Sequence, residues 1–231
     1  MTTTLITGAN QGLGFETARR LVAAGHTVYV GSRNAERGRR AAEQLGARAV
    51  QLDITDDSSV QAAVKTIEAD GGLDVLVNNA GIQVELAANG DMIGPMDVTA
   101  EVMRQTFETN VFGTVRVLHA FLPLLRRSAA PVIVNVSSGL ASLERMGTWP
   151  YHGVAYPASK AAVNMITVQF AKSLPEIRIN AVEPGYTATA LNDHQGTKTV
   201  QQGAEIIVRM AQLGPDGPTG TYVGEEGPYP W

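Results

Sequence analysis

Thr3-Thr4-Leu5-Ile6-Thr7-Gly8-Ala9-Asn10-Gln11-Gly12-Leu13-Gly14-Phe15-Glu16-Thr17-Ala18 passes from a strand-like run through three glycines into a helical pattern. Glycine lacks the Cβ that would block a tight turn or the close approach of backbone to a pyrophosphate. The free N–H groups and the dipole at the helix start favour the negative charge of such a ligand. A Gly-x-x-x-Gly-x-Gly spacing between a first strand and a first helix therefore predicts a dinucleotide site built from Gly8, Asn10, Gln11, Gly12, Leu13 and Gly14. Without a ligand the same segment would be a structural turn.

Outward from this stretch, short β-rich runs alternate with longer segments of helical period, the pattern of βαβ units. Strands are expected at about 3–7, 27–32, 47–53, 75–78, 132–137, 178–182 and 220–223. Helices are expected at about 12–24, 35–45, 58–69, 100–125, 155–174 and 199–213, with Thr99 as an N-cap. The fold class is α/β: a Rossmann-like, doubly wound, mostly parallel seven-stranded sheet with helices on both faces, in one domain spanning residues 1–231. Residues 82–98, 139–154 and 183–198 fit neither period, and each follows a predicted strand. Ligands of open α/β sheets bind beyond the carboxyl ends of the strands, so these three loops should converge on one mouth.

Composition removes several function classes. The formal net charge is −4 and no run of Lys or Arg exceeds two residues, which argues against nucleic acid or an anionic membrane as partner. The absence of Cys excludes disulfides, thiolate nucleophiles and Cys-ligated zinc, and the four His show no ligand spacing, so no metal is expected. A strand beginning almost at Met1 leaves no room for a signal peptide, and no apolar stretch approaches membrane-spanning length. The expected location is the cytoplasm.

Two further features carry chemistry. Where an NAD site would place a carboxylate after the second strand, the chain reads Val30-Gly31-Ser32-Arg33. Arg33 offers a planar cation suited to a 2′-phosphate, so NADPH/NADP is predicted over NADH. In Tyr156-Pro157-Ala158-Ser159-Lys160, a helix starting near Tyr156 would put phenol and ammonium on one face, where the cation would draw the phenol toward useful proton transfer. Six Tyr and four Lys would give about 0.1 such spacings by chance. Pro157 is tolerated only in a first helical turn, which fixes where that helix begins.

The glycine loop, Asn78-Asn79-Ala80-Gly81, Asn110, Ser138 and Tyr156-x-x-x-Lys160 together resemble the short-chain dehydrogenase/reductase superfamily over nearly the whole chain. Within it, the loop, Arg33 and the Pro-Trp ending are most similar to NADPH-dependent carbonyl reductases. The resemblance implies that Tyr156 donates a proton to a substrate carbonyl while hydride comes from the nicotinamide. Lys160 would bind the nicotinamide ribose and lower the phenol pKa, Ser138 would hydrogen-bond the carbonyl oxygen, and Asn110 would hold a water leading to Lys160. It implies cofactor contacts at Asp53, Ile54, Asn79, Ala80, Gly81, Pro184, Gly185, Thr187 and Thr189 as well. Independently of the family, Asn110 shares an apolar helical stripe with Met103, Phe107, Val111 and Leu118, where an amide needs a partner. Gln11 departs from the basic residue that often stands there in NADPH-preferring relatives, and the Ser138 to Tyr156 interval is a few residues longer than the commonest pattern.

Leu140, Leu143, Met146, Trp149, Tyr151, His152, Tyr186 and Leu191 in the mouth loops bring few charges, which suits a mainly apolar small-molecule carbonyl substrate: a ketone, keto ester or aldehyde. The competing readings are an NADP-dependent secondary alcohol dehydrogenase and a catalytically silent NADPH-binding sensor on the same fold. Residues 161–171 are apolar around more than one helical face, consistent with a homo-oligomer, dimer or tetramer, and a monomer stays open.

Overall fold

The computed structural model describes residues 2–85 and 92–231; residues 86–91 of the expected 82–98 loop lie outside the described residues. Among the described residues, seven strands run parallel: β1 (Thr3–Ile6), β2 (Thr27–Ser32), β3 (Arg48–Gln51), β4 (Val75–Asn78), β5 (Val132–Val136), β6 (Arg178–Val182) and β7 (Tyr222–Gly224). Their order is β3-β2-β1-β4-β5-β6-β7, so the strand leading into the glycine loop lies inside the sheet, between β2 and β4. An eighth strand, β8 (Gly227–Pro228), adds antiparallel to β7 and was not expected, since two residues carry no periodicity.

Helices α1 (Gly12–Ala23), α2 (Ala35–Leu45), α3 (Asp57–Ala69), α4 (Ala100–Phe107), α5 (Thr114–Leu125), α6 (Leu143–Met146), α7 (Ala155–Ser173) and α8 (Val200–Ala211) cover both faces. Strand alternation explains why both faces are needed. Leu5, Leu76, Ile133 and Ile179 point into one core with Ile67, Leu118, Phe121 and Ala171 of α3, α5 and α7. Ile6, Val77, Val134 and Val182 point into the other with Ala18, Leu21, Ala41, Ile206 and Ile207 of α1, α2 and α8. Side chains close most helix starts: Asn34 accepts from Arg37 N–H, Asp56 from Ser58 and Ser59, Thr99 from Val102, and Thr199 forms a reciprocal box with Gln202.

The helix expected over 100–125 is interrupted. Glu108–Gly113 form a π-helical turn between α4 and α5, and Asn110 sits within it. Gly113 lets this turn descend onto the loop after β3, where a Cβ would come within 2.8 Å of the Ile54 side chain. A buried polar ladder ties the middle of the sheet to α7. Asn78 Nδ2 donates to Asn135 Oδ1 and Asn135 Nδ2 to Thr167 Oγ1, both at 2.9 Å. Among the described residues, no helix is long and apolar enough to cross a membrane.

Candidate active site

Gly8 and Gly12 adopt left-handed φ of 64° and 57°, a region glycine enters without a Cβ penalty. Asn79 stitches the end of β4 to this loop, donating from Nδ2 to the Thr7 and Gly8 carbonyls at 2.9 and 3.2 Å. Thr7 Oγ1 accepts from the Asn79 and Ala80 N–H groups, each at 3.0 Å. Asn79 thus braces the loop as well as bordering it. No side chain caps α1 at Gln11, so its first-turn N–H groups remain for an anion, as a pyrophosphate requires. A Cβ on Gly12 would meet only Thr189, at 3.7 and 3.8 Å, which places that threonine across a gap from the loop.

At the end of β2, Ser32 Oγ donates to Asn34 O at 2.9 Å and Asn10 Oδ1 at 3.3 Å. Arg33 is exposed and, among the described residues, forms no ion pair. Sequence reasoning missed Arg37 in the first turn of α2. It lines an open hollow of about 250 Å³ with Asn10, Gln11, Phe15, Arg40 and Gln44. Arg40 is paired with Glu36 at 2.8 Å, whereas Arg37 forms no ion pair among the described residues. The signal was available: Asn34 as N-cap places Arg37 in the turn that faces the glycine loop.

Two assigned cofactor residues are otherwise engaged. The Ile54 side chain is 5 % exposed and belongs to the core beneath the π turn. Asp53 Oδ1 accepts from the N–H and hydroxyl of Thr55 at 3.0 and 2.7 Å, a turn contact rather than a free carboxylate oxygen.

The catalytic candidates converge at the start of α7. Tyr156 and Lys160 are 8 % and 4 % exposed. Gly81, in the segment after β4, packs against Lys160 and Asn110: a Cβ there would lie 3.3 Å from Asn110 Oδ1 and 3.4 Å from Lys160 Nζ. Asn110 Oδ1 accepts from Ile82 N–H at 2.8 Å, and its Nδ2 donates to Ile82 O at 2.9 Å and Ser159 Oγ at 3.0 Å. The Asn110 carboxamide is thus held by the Ile82 backbone and by Ser159. Ser138 faces the phenol, whereas Ser137 is buried and donates to Lys160 O at 3.4 Å.

Burial dominates the electrostatics of the pair. It pushes the Tyr156 phenol up to about 12, the Ser138 hydrogen bond opposes this, and the Glu183 carboxylate adds to it. Lys160 Nζ donates to Val136 O at 2.8 Å and lies 5.7 Å from the ring centroid. Burial pushes Lys160 itself down to about 8.

Around the mouth, Thr187 is buried and donates to Pro184 O at 3.3 Å and Gly185 O at 3.1 Å. Its hydroxyl staples the loop, and Gly185, at φ 80°, shapes the same turn. Leu143 and Tyr186 are 80 % and 53 % exposed, and His152 and His194 are exposed as well. The Tyr151 phenol accepts from Gln83 Nε2 at 2.8 Å, joining two of the mouth loops. Glu85, also missed, is fully buried and accepts from the N–H groups of Val154, Ala155 and Tyr156 at 2.5, 2.6 and 2.7 Å. Its only sequence signal is indirect, the lack of a capping side chain just before Tyr156.

Residues 2–199 match the family model described as short chain dehydrogenase. A (+)-neomenthol dehydrogenase of Capsicum annuum is 30 % identical, with 94 % of each chain covered. A (−)-isopiperitenone reductase of Mentha piperita is 33 % identical at the same coverage. The solved structure of an NADPH-bound carbonyl reductase from chicken fatty liver superimposes with a TM-score of 0.85 at 26 % identity, covering 100 % of this chain and 99 % of that one. With a nucleotide loop, a buried Tyr–Lys pair and these relatives in agreement, the chain belongs to the short-chain dehydrogenase/reductase family and is an NAD(P)-dependent oxidoreductase.

Proposed function

We propose that the protein is an NADPH-dependent carbonyl reductase that reduces a mainly apolar ketone, keto ester or aldehyde to the alcohol. The observation that carries this reading is the convergence of Lys160 and Asn110 on Gly81, with Ser138 facing the Tyr156 phenol, one strand away from the glycine loop. The names of relatives that act on ketones support it. When bound, the nicotinamide would supply hydride from its C4 to the carbonyl carbon.

The chain's own residues would do the rest. Gly8, Gly12 and the uncapped start of α1 would hold the pyrophosphate, with Thr189 closing from the opposite side. The exposed Arg33 and Arg37 would hold the 2′-phosphate, and their lack of ion pairs among the described residues supports NADPH over NADH. Ser138 would hydrogen-bond the carbonyl oxygen while the Tyr156 phenol, kept protonated by burial, gives that oxygen its proton. Lys160, pushed down to about 8, holds a proton that is easily released near neutral pH and would restore the phenol. Met165 and Phe112, 60 % and 53 % exposed on α7 and the π turn, support self-association through this face.

Turnover of a panel of apolar ketones and aldehydes, followed as loss of NADPH absorbance, tests the reading. Tyr156→Phe is expected to lower kcat by roughly 10²–10⁴-fold, the usual contribution of a positioned acid, with NADPH affinity little changed. Comparable turnover in that variant would overturn the mechanism.

A further inference from the structure

We propose that Glu85 is a positioning residue for Tyr156, a cap supplied by the loop after β4 that sets where the proton donor stands. The inference rests on the reading of Tyr156 as the acid. The first turn of α7 has an unusual shortage of local support. Val154, at its N-cap position, has φ −114° and ψ −50° and provides no side-chain hydrogen bond. Pro157 has no N–H at all. The donors that remain at this helix end are those of Val154, Ala155 and Tyr156, and one carboxylate takes all three.

The division between its oxygens is specific. Oε1 accepts from Val154 and Ala155, and Oε2 accepts from the N–H of Tyr156 itself. Glu85 is 0 % exposed and, among the described residues, forms no ion pair. Its charge is therefore met by the positive end of a 19-residue helix and by three short charge-assisted hydrogen bonds. Glu85 holds the backbone of Tyr156 while Ser138 faces its phenol, so the cap sets the point from which the phenol extends.

Glu85→Gln separates this role from simple filling of space. The amide keeps the volume and can keep the Oε1 bonds, but it turns an NH₂ toward the Tyr156 N–H, donor against donor. Asp74→Asn is the control. Asp74 accepts from Thr3 N–H at 2.8 Å and Ser128 Oγ at 2.6 Å at the opposite end of the sheet.

Steady-state kinetics with NADPH and the best ketone, together with thermal denaturation, would be measured for wild type, E85Q, E85D and D74N. For E85Q, kcat should fall about ten- to a hundredfold, the scale of a misplacement near 1 Å, with KM for NADPH within about twofold. E85D, which retains the charge, should recover part of that loss. D74N should lower Tm comparably while its kcat stays within about twofold of wild type. An E85Q kcat equal to wild type, or a loss no larger than that of D74N, overturns the proposal while leaving the functional reading intact. If E85Q does not fold, E85D decides: lowered kcat at unchanged cofactor KM supports positioning, and wild-type kcat overturns it. Absence of carbonyl turnover in the wild type would overturn the functional reading, and this proposal with it.

Discussion

Replacing the buried Lys160 by Met should stabilise the protein while disabling it. The lysine is pushed from 10.5 to about 8 by burial alone. At about 1.4 kcal/mol per tenfold change in the proton equilibrium, keeping it charged at pH 7 costs the fold about 3 kcal/mol. Methionine fills similar space without that penalty, but it leaves Val136 O without the 2.8 Å bond from Nζ, a loss of about 1 kcal/mol. The net gain is about 2 kcal/mol at pH 7, or a rise in Tm of about 4–8 °C for a chain of this size. Its pH dependence has a definite sign. The unfolded lysine holds its proton up to 10.5 and the folded one releases it near 8. Between those limits the unfolded state binds more protons, so wild-type stability rises with pH and the advantage of Lys160→Met shrinks. Urea denaturation of both proteins without cofactor should show a gap of about 2 kcal/mol at pH 7, narrowing to about 0.5 kcal/mol at pH 9.5. The variant's kcat should fall at least about 10²-fold. A variant no more stable than wild type at pH 7, or a gap that ignores pH, would refute the argument.

Arg37→Ala and Arg33→Ala should each raise KM for NADPH by about tenfold, the scale of one charge-assisted hydrogen bond, and leave KM for NADH nearly unchanged; parallel initial-rate measurements with both cofactors check this. Gly14→Ala would put a Cβ 2.6 Å from Asn79 Nδ2 and 2.7 Å from Gly8 O, and should lower stability by about 1–3 kcal/mol in urea titrations. Met165→Glu, on the open side of α7, should reduce the mass seen by light scattering to that of a monomer. A monomeric wild type at micromolar concentration would instead remove the interface from consideration.

Legibility in the sequence followed the range of the interactions. The β1–glycine–α1 passage and the helix start marked by Pro157 in the first turn of α7 were readable because each depends on neighbours a few residues apart. So was the Thr99 cap, which the structure confirms through Val102 N–H. Residues whose surroundings come from elsewhere in the chain were not. Glu85 finds its partners about seventy residues away, and no periodic pattern records that. Lys160 Nζ donates to the Val136 carbonyl on β5, a partner that the Tyr-x-x-x-Lys spacing does not record. Ile54 likewise meets the π turn, far along the chain at Gly113.

The π turn at Glu108–Gly113 has a consequence best expressed as rotational phase. Each residue of an α-helix advances the side-chain direction by about 100°, so the wider turn offsets α4 and α5 as one inserted residue would. α4 can then face α7 while α5 keeps its own apolar stripe on α3, and Asn110, at the joint, is left facing Ile82. Deleting a single residue from this segment would restore an unbroken helix yet bring one of the two faces out of alignment with its neighbour. The segment should therefore tolerate no change of length, besides being fixed in residue type at Asn110 and Gly113.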